Sequence, residues 1–187
     1  MKTQLLTALA ALTLSTAASA QFYGVVSAGV SRVDVDCTGA SNCDKTDTGF
    51  KLLGGYKFMP NLAAEVGYFD FGKATASGGG VSAEIKNNAF GGGVAYHLDL
   101  TPTWNAVGRI GVAQVKTKLS GTVAGVGSAS DDDKNTALYA GLGVGYKVAK
   151  NVSIDGAWDF SRSKYNKNGV DESGNINVFS VGVTFGF

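Results

Sequence analysis

The C-terminal segment, residues 177–187, reads NVFSVGVTFGF and alternates between two kinds of side chain. The larger set, mostly apolar, comprises Asn177, Phe179, Val181, Val183, Phe185 and Phe187. The intervening set comprises Val178, Ser180, Gly182, Thr184 and Gly186. A period of two predicts a β-strand with two unlike faces, because a helical face would recur about every 3.6 residues.

The same alternation recurs upstream and predicts an all-β chain with eight strands. Their ranges are 22–33, 49–58, 62–72, 89–98, 104–119, 138–147, 152–161 and 177–187. Most of these segments are longer than the five or six residues of an ordinary strand. No further composition shift marks a second domain after the N-terminal segment.

The connections between the predicted strands alternate in length. Short ones fall at 59–61, 100–103 and 149–151, and both prolines lie in them. Long polar ones fall at 34–47, 74–82, 120–134 and 164–174. Short turns at one end and long loops at the other predict an eight-stranded antiparallel up-and-down transmembrane β-barrel with four extracellular loops.

A soluble eight-stranded barrel shows the same period with its faces exchanged. The face between the bulky residues is rich in Gly, Ser, Ala and Thr, whereas a water-facing surface carries about 25–35% charged residues. Small side chains suit the interior of a narrow barrel instead. The bulky face is free of charge along its middle and carries aromatics near the strand ends, as lipid contact requires. Composition therefore favours the membrane barrel.

Overall composition excludes other classes of protein. The formal net charge of +1 does not fit a strongly basic nucleic-acid binder. No run of 18 apolar residues follows the N-terminal segment, which excludes a helical membrane protein. The 27 glycines of 187 residues are about twice the usual share, and many lie on the predicted inward face.

The N-terminal segment, residues 1–20, has the features of a secretory signal peptide. Lys2 supplies the positive start, an apolar stretch follows, and Ala18, Ser19 and Ala20 form a small-residue cleavage site. Cleavage between Ala20 and Gln21 leaves residues 21–187 as the barrel domain. We therefore expect an exported protein.

Three segments resemble the OmpA-type and opacity-type outer-membrane β-barrel families. GFKLLGGYKF at 49–58 and AEVGYFDFG at 64–72 are similar to the second and third strands of those families. VGVTFGF at 181–187 looks like their C-terminal assembly signal, which ends here in Phe185 and Phe187. The resemblance implies a monomer in the outer membrane of a Gram-negative cell, surrounded by lipid and lipopolysaccharide and inserted by the barrel-assembly machinery. The peptidoglycan-binding activity of full-length OmpA is not expected, because the sequence ends at Phe187.

Five charged residues fall on the predicted inward face: Lys51, Glu65, Arg109, Asp155 and Asp159. Counted from the short turns, Glu65 and Asp155 lie in a lower layer and the other three in a higher one. Buried charges must pair, since unpaired ones would be neutralised or would destabilise the barrel. We expect ion pairs that plug the lumen; the alternative is a gate in which the pairs exchange partners, as proposed for OmpA-type barrels.

Three further groups of residues are candidates for chemistry. Cys37 and Cys43 lie in the first long connection of an exported chain, which predicts a disulfide. His97 is the single histidine and is not part of the His-x-Ser pair of the barrel lipid A deacylases, so no catalytic site is predicted. The acidic run at 131–133 could bind a divalent cation, but a solvated loop is the favoured interpretation.

These observations predict a non-enzymatic envelope protein with a structural or surface-interaction role, such as adhesion or resistance. The expected partners are membrane lipid and a host or surface ligand at the loops. We expect no cofactor, no metal and no nucleic acid. A small-solute pore of low conductance is the alternative, and a lipid-modifying enzyme is a third hypothesis.

Overall fold

The computed structural model describes residues 21–34, 41–123, 125, 127–167 and 170–187, with side chains omitted at 162–173. The predicted signal peptide therefore lies outside the described residues, as does Cys37. The strands are β1 (Phe22–Val33), β2 (Asn42–Asp44), β3 (Thr46–Lys57), β4 (Leu62–Gly78), β5 (Val81–Asp99), β6 (Trp104–Val123), β7 (Gly127–Ala149), β8 (Val152–Lys167) and β9 (Val170–Gly186).

Eight of these strands form one closed antiparallel barrel. β1 pairs with β3, and each later strand pairs with the next as far as β9. β9 returns to pair with β1 from Tyr23↔Gly186 to Val33↔Ile176, which closes the sheet. The prediction of an all-β, eight-stranded up-and-down barrel is confirmed. Within the described ranges, no helix is long and apolar enough to cross a membrane.

The two faces of the barrel follow the alternation in the sequence. Phe90, Leu138 and Phe179 point outward and are 62–68% exposed. Aromatic pairs lie on the outer surface near the short turns, with ring centroids 4.8 Å apart for Phe22 and Tyr56. The ring centroids of Trp104 and Tyr146 lie 5.2 Å apart. Apolar side chains exposed all round the barrel match a surface that faces lipid rather than water.

The long connections are much shorter than the sequence predicts. β4 continues to Gly78 and β5 starts at Val81, so the predicted loop 74–82 is a tight hairpin. Gly79 and Gly80 have φ of 60° and 81°, as the two central residues of a type I′ turn require. β6 and β7 likewise pair as far as Val123↔Gly127, and β8 and β9 as far as Lys167↔Val170. Beyond the membrane both faces of a strand are wet, so the apolar alternation ends although the backbone pairing continues.

The first connection contains the short strand β2, which pairs with β4 from Asn42↔Ser77 to Asp44↔Thr75. Asp44 ends β2 and accepts hydrogen bonds at Oδ1 from the Thr46 backbone N–H at 3.0 Å and from the Thr46 hydroxyl at 2.9 Å. These two bonds hold the pKa of the Asp44 carboxyl below its usual value. This turn leads directly into β3.

Candidate functional site

The centre of the lumen is crossed by two buried ion pairs. The first joins Nζ of Lys51 on β3 to Oδ2 of Asp159 on β8. Both side chains are about 5% exposed, and they come from non-adjacent strands, so the pair spans the lumen. The second oxygen of Asp159, Oδ1, has no hydrogen-bond partner among the described residues.

The second ion pair joins Arg109 on β6 to Glu65 on β4. Nε of Arg109 lies 3.1 Å from Oε1 and 3.0 Å from Oε2 of Glu65, so one N–H donates to both oxygens. Glu65 is 1% exposed and Arg109 is 8% exposed. A carboxylate so buried requires charged or strong hydrogen-bond partners, and it has them here.

Tyr23 on β1 is a further partner of Glu65. Its hydroxyl donates a 2.7 Å hydrogen bond to Oε1 of Glu65. Nε2 of His97 lies 3.0 Å from the Tyr23 oxygen, and the two rings meet edge to face with centroids 5.1 Å apart. Since Tyr23 donates its proton to Glu65, the His97 Nε2–H donates to Tyr23. A hydrogen-bonded chain thus runs from His97 through Tyr23 to Glu65.

Asp155 does not join either ion pair, and the prediction that it pairs with Lys51 or Arg109 is wrong. Its Oδ1 accepts a 2.9 Å hydrogen bond from Ser153, and its Oδ2 accepts a 2.5 Å bond from Thr184. Asp155 and His97 line a cavity of about 200 Å³ at the short-turn end of the lumen. Two hydroxyl groups, Ser153 on the same strand and Thr184 on the neighbouring β9, satisfy this carboxylate without a cation.

Aromatic side chains fill the lumen on the other side of the ion pairs. The Phe69 ring centroid lies 5.9 Å from that of Phe71 and 5.3 Å from that of Tyr139, and all three residues are about 5% exposed. These rings and Asp159 line a void of about 10 Å³. These three residues and Tyr23 are not among the lumen-filling residues named from the sequence. Ion pairs and rings thus occupy the lumen at neighbouring levels.

Glycines on the inward face make room for the charges. A Cβ at Gly141 would overlap the carboxylate of Asp159, and one at Gly145 would overlap that of Asp155. Gly141 is also the cross-strand partner of both Arg109 and Asp159. The high glycine content thus has a steric role at the plug.

The remaining predicted sites lie elsewhere. Cys43 is the central residue of β2, and its predicted disulfide to Cys37 stays a prediction because Cys37 is outside the described residues. Phe185 and Phe187 face outward at the closing seam, where the Phe187 backbone N–H donates to the Phe22 carbonyl at 2.8 Å. The predicted cleavage site at Ala20 and Gln21 also stays a prediction, because Ala20 is not described.

The acidic run at 131–133 belongs to β7 rather than to a loop. Successive residues of a strand point to opposite faces, so the three carboxylates do not converge. Asp132 pairs with Lys116 at 3.0 Å. Over the described ranges, no group of three or more His, Cys, Asp or Glu side chains is placed to hold a metal ion.

The fold defines a small, closed, antiparallel β-barrel with an apolar outer surface. The chain matches the outer membrane protein beta-barrel domain over residues 5–187, and it belongs to that family. The resemblance to small outer-membrane barrels is thereby confirmed. No protein of curated function matches the chain in sequence.

Several solved structures share the fold at low sequence identity. Neisserial surface protein A is 18% identical with a TM-score of 0.63, over 89% of this chain and 97% of that one. The attachment invasion locus protein Ail of Yersinia pestis is 16% identical with a TM-score of 0.55, over 89% and 99%. OprG of Pseudomonas aeruginosa is 16% identical with a TM-score of 0.52, over 88% and 95%.

Proposed function

We propose that this protein is a monomeric, non-enzymatic outer-membrane barrel that does not conduct solutes and that presents its hairpins at the cell surface. The observation that carries the proposal is the pair of buried ion pairs, Lys51–Asp159 and Arg109–Glu65, across the lumen. Its role is structural or one of surface interaction, such as adhesion or resistance. The names of two neighbours, a surface protein and an attachment invasion locus protein, agree with such a role.

The buried ion pairs favour a lumen that stays closed, because separating their charges is costly. Separating Arg109 from Glu65 leaves a buried, uncompensated charge, which costs about 3–5 kcal/mol. A gate needs an alternative partner for each separated charge. Asp155 is a poor candidate because Ser153 and Thr184 already bind both of its oxygens. The unpartnered oxygen of the cluster, Oδ1 of Asp159, belongs to a carboxylate whose other oxygen is already bound by Lys51. With Asp155 satisfied as well, a plug is favoured over a gate.

The extended hairpins support the surface role. β6 and β7 pair for more than ten residues beyond Val112↔Leu138, the last pair of large apolar residues on their outward face. At about 3.3 Å per residue this is roughly 35 Å of paired strand beyond the lipid-facing band. A rigid, polar hairpin of that reach can contact a host or surface ligand. A relative of known structure, Ail, is described in complex with a heparin analogue.

We also propose how the chain is exported and assembled and what its outer surface contacts in the membrane. Export would use residues 1–20, with cleavage between Ala20 and Gln21. Phe185 and Phe187 would be read by the barrel-assembly machinery. In the membrane the outward face would contact lipid and lipopolysaccharide.

Liposome swelling tests closure against the alternative, a small-solute pore. Liposomes loaded with dextran and carrying folded wild-type protein should swell in isotonic arabinose no faster than protein-free liposomes. A double variant, Glu65→Ala/Arg109→Ala, removes both members of one ion pair and should raise the swelling rate. Wild-type protein that swells liposomes at the rate of a known porin would overturn the proposal in favour of the pore.

A lipid-modifying enzyme is the less favoured alternative. His97 lies near the short-turn end of β5 and is hydrogen-bonded to Tyr23, away from the extended hairpins. We expect no turnover of lipid A or phospholipid by the wild-type protein in mixed micelles. Turnover that disappears in His97→Ala would establish the enzyme instead.

A further inference from the structure

On each of three neighbouring strands, the apolar part of the outward face ends at an identifiable residue. The last large apolar side chain on the outward face is Phe90 on β5, Val112 on β6 and Leu138 on β7. These side chains are 64%, 53% and 68% exposed. The strands continue beyond these residues as paired hairpins, and the outward positions there are polar.

The first outward cation comes at the same distance on each of the three strands. Lys86, Lys116 and Lys134 each lie four residues beyond the last apolar residue of their strand. Four residues of strand are about 13 Å, and lysine side chains extend further along an apolar surface towards the membrane. Taking the last apolar residues as the edge of the hydrocarbon region places all three ammonium groups at headgroup level.

Two more lysines complete this group, which we call the lysine cluster: Lys73, Lys86, Lys116, Lys118 and Lys134. The backbone register puts Lys73 opposite Lys86, Lys86 opposite Lys118, and Lys116 opposite Lys134. On its other side Lys118 lies opposite Asp132. Like charges directly opposite each other destabilise a sheet. Three such pairs on one surface are unfavourable for folding unless anions lie between them.

Carboxylates on the same surface neutralise only part of this charge. Glu84 lies 3.1 Å from Lys73, Asp70 lies 3.6 Å from Lys86, and Asp132 lies 3.0 Å from Lys116. Lys118 and Lys134 have no carboxylate within 4.0 Å among the described residues. The surface therefore keeps a local excess of positive charge although the whole chain is nearly neutral.

We propose that the lysine cluster binds the phosphate groups of anionic lipid in the outer leaflet, chemically the phosphorylated sugar headgroup of lipopolysaccharide. The proposal rests on the proposed placement of the hairpins at the cell surface. Placement favours a lipid over a soluble polyanion. The cluster faces sideways, directly above the lipid-facing band, whereas the tip residues Gly79, Gly80 and Gly125 carry no charge.

The binding would fix the hairpins relative to the membrane surface. Phosphates between opposed lysines would remove the repulsion across β4, β5, β6 and β7 and would hold these strands upright. A charge near a membrane surface contributes a modest attraction that salt weakens. Because several lysines lie at a similar distance from the membrane, their attractions to neighbouring lipid phosphates add up.

Spin-label electron paramagnetic resonance on bilayer lipids tests the proposal. The folded protein is reconstituted in phosphatidylcholine vesicles with spin-labelled phosphatidic acid, whose headgroup is a phosphate monoester. The immobilised fraction, compared with that of spin-labelled phosphatidylcholine, gives the selectivity for phosphate. The variant is Lys118→Gln/Lys134→Gln, which leaves all three lysine–carboxylate pairs intact. The matched control is Lys45→Gln/Lys150→Gln, which removes the same charge elsewhere.

The wild-type protein and the control should select phosphatidic acid over phosphatidylcholine. The variant should lose selectivity by up to about fivefold for each lysine at low ionic strength. Unlabelled diphosphoryl lipid A should displace the labelled lipid, and inorganic phosphate should not. Equal selectivity in the variant and the control would overturn the proposal.

Displacement by dextran sulfate at a lower charge concentration than by lipid A would also overturn it, and would assign the cluster to a soluble polyanion. Heat-modifiable gel mobility verifies that each variant is folded. Liposome swelling of the same samples is independent of the cluster, so failure of lipid binding is distinguishable from failure of the closed-barrel function.

Discussion

The hydroxyl of Tyr23 donates a 2.7 Å hydrogen bond to Oε1 of Glu65, a carboxylate that is 1% exposed at the centre of the barrel. The same carboxylate receives the Nε–H of Arg109. Glu65 thus connects β1, β4 and β6 through one buried group. The plug is a network of side chains rather than a set of separate ion pairs.

Removing the Tyr23 hydroxyl should weaken this network while the lumen stays filled. In Tyr23→Phe, Glu65 and His97 each lose a partner while the ring remains, which should lower the free energy of unfolding by about 1–3 kcal/mol. Urea unfolding in detergent micelles measures the change. The control is Tyr139→Phe, because the inward Tyr139 hydroxyl makes no hydrogen bond among the described residues. Equal losses in both variants would contradict a specific role for Tyr23.

Removing one member of a buried ion pair should cost more. Arg109→Ala leaves the Glu65 carboxylate buried with only Tyr23 as a partner, and should lower the free energy of unfolding by about 3–5 kcal/mol. Adding Glu65→Gln should recover part of the loss, because the uncompensated charge is gone. Lys73→Ala removes a cation from the exposed Lys73–Glu84 pair and should change stability by about 0–1 kcal/mol. Similar losses in Arg109→Ala and Lys73→Ala would count against the buried network.

Two glycine substitutions test the steric side of the plug. Gly141→Ala places a methyl group against the buried Asp159 carboxylate and should destabilise the barrel by about 1–3 kcal/mol. Gly156 lies on the neighbouring strand and faces outward with nothing within 4 Å of an added Cβ. Gly156→Ala should therefore be neutral or stabilising. The prediction fails if the two variants melt at the same temperature.

Thiol alkylation tests the predicted disulfide between Cys37 and Cys43. Thiol alkylation of the denatured, unreduced protein should label neither cysteine, and reduction should expose two thiols. The reduced protein should keep its heat-modifiable mobility, since the barrel closes through β1 and β9 without this connection. Two alkylated cysteines in the unreduced sample would reject the disulfide.

The alternation of side chains was sufficient to predict the barrel and most of its interior. It places Lys51, Glu65, Arg109 and Asp159 inward, and the structure brings them together in two pairs. Counting residues from the short turns was not sufficient to predict partners. It assigns Glu65 and Arg109 to different layers, yet strand tilt and the long arginine side chain bring them within 3.0 Å.

Sequence reasoning missed Tyr23, Phe69, Phe71 and Tyr139 because large residues occupy both faces of their strands. In β4, Tyr68 is outward and Phe69 is inward, so size alone does not distinguish the lipid from the lumen. Their parity relative to Glu65, an odd-numbered inward residue of the same strand, identifies Phe69 and Phe71 as inward. For β1, the odd-numbered Tyr23 shares its face with Ser27 and Ser31, which are also buried.

Planar-bilayer recording of the wild-type protein tests the central claim, that side chains close the lumen. Purified, heat-modifiable protein inserted into a bilayer in high salt should give no stable single-channel openings. In the same experiment, Glu65→Ala/Arg109→Ala, which removes one of the two ion pairs, should give openings of small conductance. Stable, uniform openings of the wild-type protein, unchanged in the double variant, would contradict the account.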